Sequence, residues 1–170
     1  MVDEPARAVT VRPATAADLE RLMALRTDVA REGRWIGAEL PLDEEGDRAM
    51  LQRGIDAGAD HVLFVAESGG AVVGNLGMHL ARYGVAEFGM LVADDWRGRG
   101  VGSALVEAAI AWAREAGAHK LALQHWPDNH AAHRLYEKFG FEQEGYLRRQ
   151  YPRKNGEIWD AVVMGLVLDD

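Results

Sequence analysis

Cysteine is absent from the sequence. That absence removes disulfides, thiolate zinc sites, iron–sulfur clusters and a covalent cysteine intermediate together. Basic residues are in deficit too: 19 Lys and Arg stand against 27 Asp and Glu, a net charge of −8. A nucleic-acid binder needs a basic patch or stripe, so no nucleic-acid partner is expected. Long hydrophobic runs are also missing. The longest near the end, Ala161 to Leu168, is far too short to span a bilayer. Met1-Val2-Asp3-Glu4-Pro5 has neither the basic start nor the apolar centre of a signal peptide. What is present is a balanced composition, 48% hydrophobic and 27% charged, over 170 residues. A chain of that length buries roughly 70% of its unfolded surface and can build a core without disulfides or metal. A single domain over residues 1–170, cytoplasmic and without a membrane partner, is the expectation.

Hydrophobic period divides the chain into alternating elements. Val9 to Arg12 reads as a short strand stopped by Pro13. Thr15 and Asp18 then give a hydroxyl cap with an acid three residues on, and Leu19, Leu22, Met23, Val29 and Ala30 follow at helical spacing. A loop carries Trp35 and Ile36, and a weaker helix is expected over 44–57. From His61 the period changes to two. His61 to Glu67 and Ala71 to Leu80 read as a hairpin through Ser68-Gly69-Gly70, with a third strand at Val85 to Val92. A helix with Leu105, Ala108, Ala109 and Trp112 on its apolar stripe ends at Gly117. Lys120 to Trp126 is a strand, Pro127-Asp128-Asn129 opens a helix to Phe139, and Phe141 to Tyr146 and Ile158 to Leu168 are the last strands, separated by a polar loop. The sheet should be mixed rather than purely parallel.

Between the third strand and its helix lies Arg97-Gly98-Arg99-Gly100-Val101-Gly102-Ser103. Glycines let backbone N–H groups converge, and a helix N-terminus adds about half a positive charge, so this turn suits phosphate. A P-loop would need Gly-Lys-Ser/Thr, which does not occur. The dinucleotide fingerprint would need a third glycine where Ser103 or Leu105 stands. What fits is Arg-x-x-Gly-x-Gly at Arg97, Gly100 and Gly102. Downstream, Asn129, Ala132, Leu135, Tyr136, Lys138, Gly140 and Phe141 stand in one register, followed by Glu144-Gly145, Arg148, Asn155-Gly156, Asp160 and Met164.

These motifs, in this order, resemble the GNAT superfamily of N-acetyltransferases over about residues 8–168, and most closely its bacterial members that acetylate small amines or amino acids. The resemblance implies an α/β (α+β) single-domain GNAT fold: a mixed, mostly antiparallel sheet of about six to seven strands flanked by about four helices. It implies direct acetyl transfer from acetyl-CoA to a primary amine, with no acyl-enzyme. Leu91, Val92, Arg97, Gly98, Arg99, Gly100, Val101, Gly102, Ser103, Asn129, Ala132 and Tyr136 would then contact acetyl-CoA. The pantetheine arm would pair with the backbone of Met90-Leu91-Val92, and the Leu91 N–H would face the thioester oxygen. Tyr136 matches the family's general acid, its ordinary pKa of about 10 keeping it protonated. Glu87 matches a carboxylate that either accepts the ammonium proton through water, a task that favours a buried group, or is a solvated strand glutamate that only orients the substrate. Asn129 is equally a good helix N-cap.

His130 and His133 share a helix face near His125, but no carboxylate–histidine signature accompanies them, so no metal is expected. His125 replaces the family's usual aliphatic residue; it is either a tolerated strand histidine or a group that moves a proton near the acceptor. For the acceptor, Trp35, Tyr83, Tyr151 and Trp159 could form walls, and Arg34, Arg148, Arg149 and Arg153 could hold a carboxylate. A small-molecule amine, an amino acid or similar, leads. A protein N-terminus or lysine is the alternative within the class, and a non-catalytic CoA-binding module the alternative outside it. Family members often dimerise, and the sequence leaves a homodimer open.

Overall fold

In the computed structural model, residues 8–168 are described; Met1 to Pro5, read above for a leader, lie outside them. One seven-stranded sheet runs in the order β1-β2-β3-β4-β5-β7-β6. The strands are β1 (Thr10–Pro13), β2 (His61–Ser68), β3 (Ala71–Leu80), β4 (Val85–Val92), β5 (Lys120–His125), β6 (Glu142–Pro152) and β7 (Ile158–Val167). All neighbours pair antiparallel except β4 and β5. The helices are α1 (Leu19–Arg31), α2 (Glu44–Ile55), α3 (Val101–Glu115) and α4 (His130–Lys138). Among the described residues no helix is long and apolar enough to cross a membrane.

Each face of the sheet carries one pair of helices. On one, Leu105, Val106, Ala109 and Ala113 of α3 pack with Leu76, Ala86, Leu121 and Met164, all fully buried. On the other, Leu22 and Met23 of α1 and Leu51 of α2 cover Leu63 and Val65. One strand departs from expectation. β6 continues through Arg148-Arg149-Gln150 to Pro152, where a polar loop was expected, and only 153–157 form the turn. β6 is the edge strand, so its polar residues stay solvated while its backbone pairs with β7. A bulge between Leu147 and Tyr151 puts Arg149 at φ +53°.

The parallel β4–β5 pairing lasts only three residues, Val85 to Glu87 against Lys120 to Ala122. Beyond it the strands diverge. β4 stays bound to β3 through Val92, β5 stays bound to β7 through His125, and a cleft opens between their carboxyl ends.

At the amino end, Asp18 closes the predicted cap. It accepts from the Thr15 N–H at 2.8 Å and pairs with both terminal nitrogens of Arg12 at 2.8 and 3.0 Å, while Arg12 also reaches Glu67 at 2.6 Å. The Arg12 hydrogen bonds hold the Asp18 carboxyl down at about 2, below its ordinary 3.8. A depressed carboxyl stabilises the fold above its unfolded pKa and loses that contribution as pH falls through the folded value. Asp18→Asn should therefore cost about 2 kcal/mol at neutral pH, allowing for the partly solvated Arg12. Urea titrations should show this cost shrinking between about pH 4 and pH 2, because the wild type loses the same interaction there.

Candidate active site

Two cavities meet in the cleft. The larger, about 780 Å³, runs from Trp35, Ile36 and Gly37 past Arg26 and Arg53, over His79 and Gly89, to Gln124, His125, Trp126 and Tyr151. The smaller, about 380 Å³, is lined by Val92, Arg97, Gly98, Gly100, Gly102 and Ser103 beneath Ala131 and Leu135. Trp35, Met90, Leu91, Asn129, Ala132 and Tyr136 belong to both walls.

The smaller cavity has the backbone chemistry that a phosphate-bearing arm would call for. Gly98 and Gly100 are left-handed, at φ +71° and +85°, and a Cβ at either would meet nothing within 4 Å. Their openness leaves the backbone approachable at the N-terminus of the 15-residue helix α3. The predicted side chains behave otherwise. Arg97 bonds Glu32 through both terminal nitrogens at 2.7 Å, Asp94 at 3.0 Å and the Val92 carbonyl at 3.1 Å. It is a strut between the glycine turn and α1, and Glu32 also accepts from the Trp35 indole at 2.7 Å. Arg99 lies over Trp96, outside both linings, and Val101 is buried in the core.

The expected role of the Leu91 N–H is corrected by strand register. Ala81 and Ala93 donate to their β3/β4 counterparts, Val85 and Val73. Alternation along an antiparallel pair then turns the peptide groups of Leu91 and Gly89 toward β3, and those of Met90 and Val92 toward the cleft. The Leu91 side chain packs against Leu25 and Val29 of α1. Met90, in both walls, is the residue whose free N–H faces the junction.

Tyr136 sits where the cavities join. Its ring is 5% exposed and packed edge-on to Phe88 at 5.9 Å, with Phe141 at 5.7 Å. Burial pushes its phenol above the ordinary value of 10.0, so it is protonated throughout the neutral range. Asn129 caps α4, its side-chain oxygen accepting from the Ala132 N–H at 3.2 Å, and still lines both cavities. Glu87 is not buried. Its side chain is 55% exposed, its carboxylate 3.7 Å from His79, in a shallower cavity of about 330 Å³ that shares His79, Gly89 and Gln124 with the large one.

The acceptor side differs from expectation in its charged residues. Trp35 and Tyr151 line the large cavity, with the Tyr151 hydroxyl donating to Gln124 at 2.5 Å. Tyr83, 79% exposed on the β3–β4 turn, and Arg148, exposed on β6, lie outside it. Arg153 is buried and faces the loop after α1. It donates to the carbonyls of Gly37 at 3.0 Å and Ile36 at 3.4 Å, and stacks 4.2 Å over Trp159. Lys154 adds bonds to Glu39 and Pro41. The hairpin thereby holds a roof over the cavity. The arginines that do line it are Arg26 and Arg53. Arg26 was readable in principle, four residues after Leu22 on the apolar stripe of α1.

A split mixed sheet with a glycine-rich helix start on one side of the cleft and a roofed cavity on the other is the architecture of N-acetyltransferases. The chain belongs to the acetyltransferase (GNAT) family, whose model matches residues 22–141. It is 38% identical over 106 residues to the L-amino acid N-acetyltransferase AaaT of Escherichia coli, an alignment covering 58% of this chain and 63% of that one. The chain thus spans somewhat less than two thirds of that relative. It is 30% identical over 165 residues to the L-methionine sulfoximine/L-methionine sulfone acetyltransferase of Pseudomonas aeruginosa, covering 94% and 95%. Among solved structures, the ribosomal-protein-alanine N-acetyltransferase of Brucella melitensis superposes with a TM-score of 0.83 at 30% identity, covering 94% of this chain and 99% of that one. A phosphinothricin acetyltransferase of Sinorhizobium meliloti in complex with acetyl-CoA shares the fold, with a TM-score of 0.81 at 21% identity over 94% and 88%.

Arg153→Ala should loosen the roof. Two backbone carbonyls lose their donor, at about 1–3 kcal/mol for a buried group left unsatisfied. Hydrogen exchange should quicken at residues 34–41 while the core of α3 stays protected; unchanged exchange in the loop would mean that Lys154 alone holds it.

Proposed function

We propose that the protein transfers the acetyl group of acetyl-CoA directly to the primary amine of a small acceptor, an L-amino acid or close analogue. The observation that carries this reading is the meeting of the two cavities at Met90, Asn129 and Tyr136. The smaller cavity suits the donor's pantetheine and diphosphate, and the larger suits the acceptor. The left-handed glycines, free of any Cβ, and the α3 N-terminus fit a diphosphate without calling on Arg97.

In this reading the peptide groups of Met90 and Val92 that β5 leaves free pair with the pantetheine arm as an added strand would. The Met90 N–H, rather than that of Leu91, donates to the thioester oxygen. Glu87 takes a proton from the acceptor ammonium through water, its exposure allowing the proton to pass to solvent. The neutral amine attacks the acetyl carbon, the C–N bond forms as the C–S bond breaks, Tyr136 gives its proton to the departing thiolate, and the proton shed by the new amide nitrogen passes through water to restore the Tyr136 phenol. The closed roof favours a small acceptor over a peptide, and two relatives named for amino-acid substrates support the same choice. Arg26 is the candidate partner for an acceptor carboxylate. Asp47 takes only its Nε, at 2.8 Å, and its guanidinium lines the cavity.

Thiol release from acetyl-CoA against free amino acids, L-methionine sulfone, polyamines, aminoglycosides and an alanine-terminal peptide tests this. Turnover is expected with an amino acid or the sulfone. Tyr136→Phe should lower kcat about 10²-fold or more, with little change in the KM for acetyl-CoA. Turnover of the peptide alone would favour protein N-terminal acetylation. Stabilisation by acetyl-CoA with no turnover on any acceptor would favour a binding module.

A further inference from the structure

Glu32 closes α1 as its C-cap residue and holds two partners on one carboxylate. Arg97 donates to Oε1 from Nη2 and to Oε2 from Nη1, both at 2.7 Å, and the Trp35 indole donates to Oε2 at 2.7 Å. The Arg97 hydrogen bonds, helped by the indole, hold this carboxyl below its ordinary value, so it is charged throughout the neutral range. Arg97 in turn places four of its five N–H donors within the chain: two on Glu32, one on Asp94 and one, from Nε, on the Val92 carbonyl. One guanidinium therefore ties the carboxyl end of β4, the turn after it and the end of α1 into a single block. Trp35 is attached to that block twice, by its N–H to Glu32 and by its ring, 5.5 Å from the Arg97 guanidinium carbon. The indole lines both cavities, while Glu32 lines neither. Arg34 lies 4.1 Å from the same ring and 3.9 Å from Asp128, but those two charges are mostly exposed, so that tie is the weaker one.

We propose that Glu32 is a positioning residue for the transfer, one that keeps Arg97 from the donor's diphosphate and uses it to fix Trp35 as the acceptor wall. The role rests on the reading of the larger cavity as the acceptor site. Two effects of opposite sign follow. A free guanidinium beside a glycine turn at a helix N-terminus would pair with a diphosphate bidentately. Glu32 already takes it with that geometry, so the carboxylate competes with the donor. In exchange, the acceptor wall is joined to the strand that carries the Met90 N–H, and acceptor and thioester keep one relative position. Loss of the carboxylate should therefore favour the donor and harm the acceptor, a split that general loosening of the fold would not produce.

Kinetics with acetyl-CoA and L-methionine sulfone separate the two effects. Glu32→Gln keeps the shape and removes the charge. It should raise the KM for the sulfone about tenfold, the scale of one charge-assisted hydrogen bond, while the KM for acetyl-CoA falls several-fold. Trp35→Phe, which keeps a ring and removes the N–H, should raise the sulfone KM without tightening acetyl-CoA. The double variant should add little to Glu32→Gln on the acceptor side. A rise in both KM values with a lower Tm would reduce Glu32 to a structural strut and overturn the proposal. A sulfone KM that Glu32→Gln leaves unchanged would overturn it as well, because the wall would then stand without the carboxylate.

Two further readouts do not depend on turnover. The indole ¹H–¹⁵N signal of Trp35, identified by its loss in Trp35→Phe, should exchange slowly with solvent in the wild type and quickly in Glu32→Gln. Equal exchange in both would mean that Glu32 does not hold the indole. Calorimetry should show CoA binding more tightly to Glu32→Gln, with the gain fading as salt rises. If both of these results hold and the wild type does not turn over the sulfone, the acceptor reading falls and the positioning role with it, while the competition for Arg97 stands.

Discussion

Three residues of parallel pairing between β4 and β5, and no more, are the constraint on which the site depends. A sheet that parts in its middle leaves backbone donors and acceptors unpaired in a place where neither strand is an edge. Such groups are costly when buried without partners. Here they line a cleft, where a ligand with amide groups can complete the ladder that β5 abandons. The parity of β4 follows from its register with β3 and determines which groups β5 leaves over: those of Met90 and Val92, of which the Val92 carbonyl accepts from Arg97 Nε. The position of Tyr136 follows from the same split. It packs on Phe88 and Phe141 beneath the point of divergence, so the core that supports the sheet also fixes the phenol where the two cavities join.

Two ties close the cleft from the sides, and both run over long sequence separations. Arg153 reaches back to Ile36 and Gly37, and Arg97 to Glu32. Each holds the segment around Trp35, one of the side chains that line both cavities. The roof of the larger cavity is therefore built from segments that lie 116 and 117 positions apart where Arg153 meets them.

Much of this was legible in the residues, and what was not has a physical reason. Hydrophobic period located the helices and most strands, because each buries one face against a neighbour. Thr15 and Asp18 marked a real capping box, and Ser68-Gly69-Gly70 a real hairpin turn, because turns and caps are local chemistry. The continuation of β6 was hidden because an edge strand with a bulge can be polar on both sides. Arg97, Arg99, Arg148 and Arg153 looked alike as cations beside a site. Only tertiary partners separate a strut, a solvated side chain and a roof clamp. The choice between Leu91 and Met90 turned on pairing parity, to which residue type is indifferent. His125 and His133 stood out as unusual residues, but the 3.0 Å contact between their ring nitrogens required α4 to be docked on β5.

The occupation of Arg97 bears on how an acidic protein can hold an anionic donor. With a net charge of −8, and with Glu32 and Asp94 both on Arg97, long-range attraction is weak and the motif's first arginine is largely neutralised. In the proposed reading recognition falls to dipoles: the N–H groups of a turn with left-handed Gly98 and Gly100 at the N-terminus of α3. Dipoles fixed in the backbone need no side-chain rearrangement when the anion arrives, and they leave Arg97 in place to hold Glu32. Glu32 in turn holds the Trp35 indole, which borders the acceptor. The motif arginine thus supports the wall of the larger cavity as much as the glycine turn. That division of labour accounts for an invitingly placed cation being spent on a carboxylate of its own chain.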